Sequence, residues 1–340
     1  MRTAEFDYDL PLDRIAQTPI TPRHDSRLMV VDRSTGEIEH SYFWEIDRFL
    51  KPGDVVVINE TRVIPARIFA AKQPGGGKVE LLLLEKNDAR TWTVWVGGKG
   101  LIPGRRLTVA GGPEAEIIEV LEGPKRWLRF DEPIEPFLER VGHVPLPPYI
   151  HTRLEDPDRY QTVYATTAGS AAAPTAGLHF TDPLIKKLMD QGILFARVTL
   201  HVGLDTFAPV TEADPREHKI HTEWCLLNQQ TADQINAAKA AGGRVLAVGT
   251  TSVRTLESAA RGRVDGQVVA ASCGHTDLFI LPGFTFNAVD IMITNFHLPK
   301  STLLMLVSAF AGRELIFKAY QVAIDEGYRF FSFGDAMLIL

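Results

Sequence analysis

Thr294-Asn295-Phe296-His297-Leu298-Pro299-Lys300-Ser301 places an amide, an imidazole and an ammonium within one short stretch. Residues 289–294 read as a buried strand that runs into it. An apolar helix follows, with Ser301 at the N-cap and Gly312 at C′. Polar groups beside a core are costly unless they are paired or used. The stretch is therefore either one wall of a site or a turn that only caps its own helix. As a site wall it offers proton transfer at His297, directional hydrogen bonds at Asn295 and a cation at Lys300.

Two further turns share this character. Gly169-Ser170-Ala171-Ala172-Ala173-Pro174-Thr175-Ala176-Gly177-Leu178-His179-Phe180-Thr181 is rich in small residues and ends in an imidazole. Small residues let a ligand, or another backbone, come close. Gly249-Thr250-Thr251-Ser252-Val253-Arg254 opens a helix after a glycine turn, where free N–H groups attract a carboxylate or phosphate and Arg254 adds a fork. Ordinary Ser/Thr capping is the competing reading. Neither the GxGxxG spacing nor the Walker lysine is present, so neither a dinucleotide nor an ATP motif is assigned. In His218-Lys219-Ile220-His221-Thr222-Glu223-Trp224, His221 and Glu223 fall on one side of a strand. No third ligand lies near, so a hydrogen-bonded polar pair with Trp224 beside it is expected rather than a metal site.

These turns need elements to position them. Residues 28–31, 55–58, 193–202, 244–248, 278–281 and 289–294 read as strands. Helices are expected at 182–189, 230–241, 253–260 and 314–326. Between them, residues 62–131 change texture. Short apolar runs at 64–70, 79–84, 91–96, 105–110, 115–121 and 126–130 alternate with turns, the pattern of a small barrel or sandwich. Trp92 and Trp95 should point to opposite faces. The proline cluster Pro145-Leu146-Pro147-Pro148-Tyr149 closes the segment. The expected fold is α/β: a layered main domain from residues 1–61 and 150–340, with a small all-β barrel inserted at 62–149.

Composition narrows the class. With 45% hydrophobic and 23% charged residues the chain is an ordinary globular one, and its formal charge of −6 disfavours a surface coated for duplex binding. No apolar run reaches the ~20 residues of a membrane span, and Met1-Arg2-Thr3-Ala4-Glu5-Phe6-Asp7 carries no signal sequence. Cys225 and Cys273 form neither a disulfide framework nor a zinc cluster, which fits a reducing cytoplasm.

Long motifs then point to one family. They are Pro22-Arg23-His24-Asp25-Ser26-Arg27-Leu28, Asn59-Glu60-Thr61-Arg62-Val63-Ile64-Pro65-Ala66-Arg67, Tyr160-Gln161-Thr162-Val163-Tyr164-Ala165 and Ala173-Pro174-Thr175-Ala176-Gly177-Leu178-His179-Phe180-Thr181. With them stand Thr199-Leu200-His201-Val202-Gly203-Leu204, Val248-Gly249-Thr250-Thr251-Ser252-Val253-Arg254-Thr255-Leu256-Glu257, the 294–301 stretch and Tyr328-Arg329-Phe330-Phe331-Ser332-Phe333-Gly334-Asp335-Ala336-Met337. Through them the chain resembles the S-adenosylmethionine:tRNA ribosyltransferase-isomerases of queuosine synthesis. Departures are Glu60, where an aspartate is expected, and Asp205 and Ala208, where a glycine and often an arginine are expected.

The resemblance implies an α/β body with an inserted β-barrel. It also implies a reaction that moves and rearranges the ribosyl part of S-adenosylmethionine onto 7-aminomethyl-7-deazaguanine at the tRNA wobble position, giving epoxyqueuosine, adenine and methionine. S-adenosylmethionine is then a consumed cosubstrate, with no further cofactor and no metal, and the protein a cytoplasmic monomer. On this reading His179 and His297 are the acid or base candidates. Thr250, Thr251 and Asn295 would hydrogen-bond adenine or the methionine carboxylate, and Arg254 would hold that carboxylate. Phe180 and Phe296 would stack on adenine or the flipped base, and Arg27, Arg62 and Lys300 would meet tRNA phosphates. A methyltransferase is disfavoured because Asn59-Glu60-Thr61-Arg62 and a β insertion stand where its Gly-rich turn belongs. A non-catalytic RNA-binding module would put basic and aromatic residues at 62–131 without need of the polar turns.

Overall fold

The computed structural model describes residues 1–203 and 209–340. The described chain divides into two compact units: Met1–Arg62 with Pro147–Thr167 and Ala173–Leu340, and Val63–Leu146 with Ala168–Ala172. Asp205 and Ala208 lie outside the described residues.

The larger unit is built on a nine-stranded sheet in the order Ser272–Thr276, Glu223–Leu227, Leu194–Leu200, Val55–Asn59, Val245–Val248, Ile291–Asn295, Ala336–Ile339, Arg27–Val31, Ile38–Tyr42. Its centre is parallel: Leu194–Leu200 pairs Val55–Asn59, which pairs Val245–Val248, which pairs Ile291–Asn295. Continuous Val/Ile runs form such strands because both faces are covered. Val55 and Val57 pack on one side with Val253, Leu256 and Leu304, while Val56 and Ile58 pack on the other with Phe180, Leu184 and Leu188. Side chains on successive strand residues face opposite ways, so one strand serves two cores.

Helices form at Asp182–Asp190, Gln229–Ala240, Gly249–Ala260, Thr302–Ala311 and Arg313–Asp325. Ser301 caps its helix by accepting the Leu304 N–H at 3.1 Å, and Gly312 closes it with φ 87°. The apolar run at 278–281 is not a strand. Leu278 and Ile280 are buried, yet the neighbouring Ser272–Thr276 occupies the sheet edge. The helix expected from 253 begins at Gly249, whose φ of 82° turns the chain directly out of Val245–Val248. Ala336–Ile339 is a further strand, pairing with both Ile291–Asn295 and Arg27–Val31.

The smaller unit closes on itself. Arg67–Gln73, Lys78–Lys86, Thr91–Gly97, Lys125–Phe130, Ala115–Val120 and Arg106–Val109 pair in ring order, and Arg106–Val109 pairs back to Arg67–Gln73. Six antiparallel strands thus make a barrel with no free edge among them. Trp92, Val94 and Val96 fill its interior and Trp95 lies on the opposite, half-exposed face.

Candidate active site

The central parallel strands end together at Asn59, Val248 and Asn295, and ligands in α/β sheets gather beyond such carboxyl ends. Asn59 ties two of the ends: its amide donates to Leu200 O at 2.9 Å and accepts from the Thr61 and Leu200 N–H groups. Beside these ends opens a recess of about 610 Å³, counting the part open to solvent. Its walls are Ala173–Ala176, Gly249–Thr251 and Thr294–Leu298, completed by Tyr149, Ser332 and the Ser301 turn. The three turns marked by their chemistry in the sequence therefore share one cavity.

Asn295 is buried at the floor of this recess, 3% exposed. Its Oδ1 accepts from Thr175 Oγ1 at 3.0 Å, and its Nδ2 donates to His179 Nε2 at 3.2 Å. His179 Nδ1 stands 2.8 Å from Ser26 Oγ, and the ring packs on Phe43 at 5.0 Å. With Nε2 accepting, the imidazole is neutral and carries its proton on Nδ1. Burial, reinforced by the charges of Arg329 and Arg23, lowers its pKa to about 3. Each end of the Asn295 amide keeps one hydrogen-bonding position: a second N–H on Nδ2 and a second lone pair on Oδ1.

His297 lines the recess and is half-buried. Its Nε2 meets Thr294 Oγ1 at 2.6 Å. Its main chain is pinned by two tyrosines: Tyr8 Oη donates to His297 O at 2.5 Å, and the His297 N–H donates to Tyr320 Oη at 2.8 Å. Burial drives its pKa down to about 3, so this ring too is neutral near pH 7. Lys300 sits at φ 56°, held there by hydrogen bonds from its own N–H to Phe6 O and from Val210 N–H to its carbonyl. Its ammonium pairs with Asp7 at 2.6 Å on the surface.

Thr250 and Thr251 line the same recess at the first turn of Gly249–Ala260, where helix N–H groups are unsatisfied by the helix itself. Thr251 Oγ1 is buried without a hydrogen-bond partner among the described residues. Arg254, one turn further on, points elsewhere. It is 6% exposed, pairs with Glu223 and donates to Leu278 O at 3.0 Å and Thr276 O at 3.3 Å. That guanidinium is spent on a buried ion pair, not on a carboxylate ligand. Glu223 also accepts the Gly203 N–H at 3.0 Å, while Trp224 stacks on His201 at 5.2 Å.

Phe180 is fully buried edge-on to Phe43 at 5.0 Å, and Phe296 is fully buried against Phe330 at 4.8 Å and Tyr320 at 5.4 Å. Both rings pack in the core, and Phe296 also belongs to the wall of the recess. Arg27 lies over the Tyr328 ring at 3.7 Å and donates to Glu326 O, and Arg62 is exposed on Thr61–Val63. Glu60 pairs with Arg197 at 3.2 Å and accepts from the Thr166 hydroxyl at 3.0 Å. Ser26, Thr175, Ser332 and Tyr149 went unread as site residues. Each lay inside or beside a marked motif, but only the fold sets them against Asn295 or the recess.

A parallel sheet that gathers amide, imidazole and hydroxyl groups at its strand ends, in one chain with a closed β-barrel, is the architecture of an α/β enzyme. A model of the family described as queuosine biosynthesis protein matches residues 3–339. Relatives named S-adenosylmethionine:tRNA ribosyltransferase-isomerase are 52% identical over 347 residues in Symbiobacterium thermophilum and 53% identical over 350 residues in Moorella thermoacetica, each alignment covering 100% of both chains. The crystal structure of S-adenosylmethionine tRNA ribosyltransferase from Thermotoga maritima is similar at TM-score 0.58 with 39% identity, covering 99% of this chain and 100% of that one. The chain belongs to the queuosine biosynthesis protein family.

Proposed function

We propose that this protein is an S-adenosylmethionine:tRNA ribosyltransferase-isomerase. It would transfer and rearrange the ribosyl part of S-adenosylmethionine onto the aminomethyl group of 7-aminomethyl-7-deazaguanine at the tRNA wobble position, releasing adenine and methionine. Full-length similarity to relatives of that name supports the reading. The observation that carries it within the molecule is the oriented Asn295 amide in a recess that also holds the neutral His297 ring.

The chemistry asks three things of the site. A base must take the acidic proton on the carbon next to the sulfonium. The departing adenine needs hydrogen bonds, and the amine must be held as a nucleophile. A neutral imidazole can accept a proton, and His297 Nδ1 has no hydrogen-bond partner among the described residues while Nε2 is braced by Thr294. His297 is assigned as the base. His179, with both nitrogens engaged, positions Asn295. The free N–H and lone pair of Asn295 match the N7 and 6-amino edge of adenine, a pairing amides make bidentately. Thr250, Thr251 and the first N–H groups of Gly249–Ala260 suit the methionine carboxylate.

Arg27, Arg62 and Lys300 are the proposed tRNA phosphate contacts, Lys300 by exchanging its exposed Asp7 partner. The proposal includes a monomer acting in the cytoplasm with S-adenosylmethionine as consumed cosubstrate. No helix among the described residues is long and apolar enough to cross a membrane. Mass spectrometry of the reaction tests the reading. Free adenine and methionine with an epoxyqueuosine-containing tRNA are expected; S-adenosylhomocysteine would overturn it.

A further inference from the structure

A second recess, of about 260 Å³ counting the part open to solvent, adjoins the first. Ser332 lines both, and His179 lines the second while bonded to Asn295 in the first. Two arginines enter it from different parts of the chain. Arg23 donates to Gln161 O at 2.5 Å and Asp158 O at 2.8 Å. Arg159 donates to Thr21 Oγ1 at 2.7 Å and Ile20 O at 2.6 Å.

All four of these acceptors are neutral oxygens. Among the described residues neither guanidinium reaches a carboxylate within ion-pair distance, and Arg159 Nε is buried without a partner. Burial and the Arg159 charge both lower the Arg23 pKa, and the Asp156 and Asp158 charges oppose them. Two guanidiniums lining one recess, partly desolvated and without an ion-paired carboxylate, are a costly arrangement that an anion would complete. Net charge is −6, so the concentration of cations here is local.

We propose that this second recess binds a phosphodiester of the RNA substrate. The nucleotide whose base enters the Asn295 recess is then fixed by its own backbone phosphate, bridged between Arg23 and Arg159. The inference rests on the tRNA reading above. A tetrahedral phosphodiester presents two anionic oxygens, one to each fork, and phosphate contacts set register without reading sequence. The nucleoside cosubstrate brings one anionic group, its carboxylate, and the helix terminus at Thr250 already suits it.

The test is the affinity of the full-length protein for a fluorescent anticodon stem-loop, read by anisotropy across a salt series. Arg23→Gln and Arg159→Gln each keep a donor for the backbone carbonyls. Each is expected to weaken binding about tenfold and to lower the slope of log Kd against log salt by about 1. The KM for S-adenosylmethionine should stay unchanged. A rise in that KM with RNA affinity intact would assign the recess to the carboxylate and overturn the proposal, as would no change in either. Should a variant melt early, wild-type protein with stem-loops carrying an uncharged methylphosphonate on either side of the modified nucleotide decides the matter. One of the two linkages must weaken binding. A wild-type protein that binds the stem-loop in this manner but releases no adenine would refute the ribosyl-transfer reading and leave the phosphate site standing.

Discussion

Asn295 Nδ2 lies 3.2 Å from His179 Nε2, and this contact couples the orientation of the amide to the tautomer of the ring. With the amide this way round, Nε2 accepts and the ring proton stands on Nδ1, facing the Ser26 hydroxyl. Thr175 presses the same choice from the far end by donating to Oδ1. The pattern of donor and acceptor shown to a ligand is therefore set two residues away from the ligand.

Replacing Asn295 with Asp removes both N–H donors while nearly keeping shape. We expect kcat/KM for S-adenosylmethionine to fall by about 100-fold, the equivalent of ~3 kcal/mol for a lost hydrogen bond and an unpaired buried acceptor. Steady-state adenine release would show it. Unchanged kinetics would remove Asn295 from adenine recognition.

His297 and His179 should separate under the same assay. His297→Gln takes away the base and should collapse kcat with little change in melting temperature. His179→Ala leaves the Asn295 amide and Ser26 hydroxyl unpaired in the interior, at ~1–3 kcal/mol for each stranded group, so it should lose both activity and thermal stability. Turnover surviving His297→Gln would refute its role as base.

Acid should unfold the protein through these same rings. Both have folded pKa values of about 3 against an unfolded value near 6.5, so the native state holds them neutral. Their contribution is fully present above pH 6.5. It is lost as pH falls from 6.5 toward 3, because the unfolded chain binds those protons first, at up to ~1.4 kcal/mol per pH unit for each ring. Denaturant titrations between pH 7 and 4 should show falling stability, less steeply in His179→Phe; a flat profile would contradict the burial argument.

Glu223 and Arg254 make a structural pair. Glu223→Gln strands a guanidinium that is 6% exposed and should cost ~3–5 kcal/mol. Melting temperature is the readout. Under conditions where the variant remains folded, its KM for S-adenosylmethionine should match wild type; a raised KM with unchanged melting would return Arg254 to ligand binding.

Much of this molecule was legible beforehand, and the reasons differ by element. The barrel strands follow from regular alternation, which burial on one face imposes. Ser301 and Gly312 were readable as caps because capping is local chemistry. The three polar turns stood out because ionisable groups rarely interrupt apolar runs without use. The pairing of Arg254 with Glu223 was not legible, because the two are 31 residues apart and no local rule joins them. The burial of Phe180 and Phe296 was not legible, because an aromatic beside a polar residue looks the same in sequence whether its ring faces a ligand or a core. Ala336–Ile339 was passed over since four apolar residues carry no period of their own, and only their two sheet neighbours make them a strand.

The pairing of Val56 with Leu246 and of Leu28 with Ala336 has a kinetic consequence. Every wall of the Asn295 recess depends on strands brought together across most of the chain, and closing such loops precedes any reward from the contacts. The barrel, by contrast, closes with strands from Arg67–Gln73 to Lys125–Phe130. A refolding chain should protect barrel amides from exchange before it regains adenine release, and pulse labelling can time the two. In that interval the protein would be half built and wholly inactive.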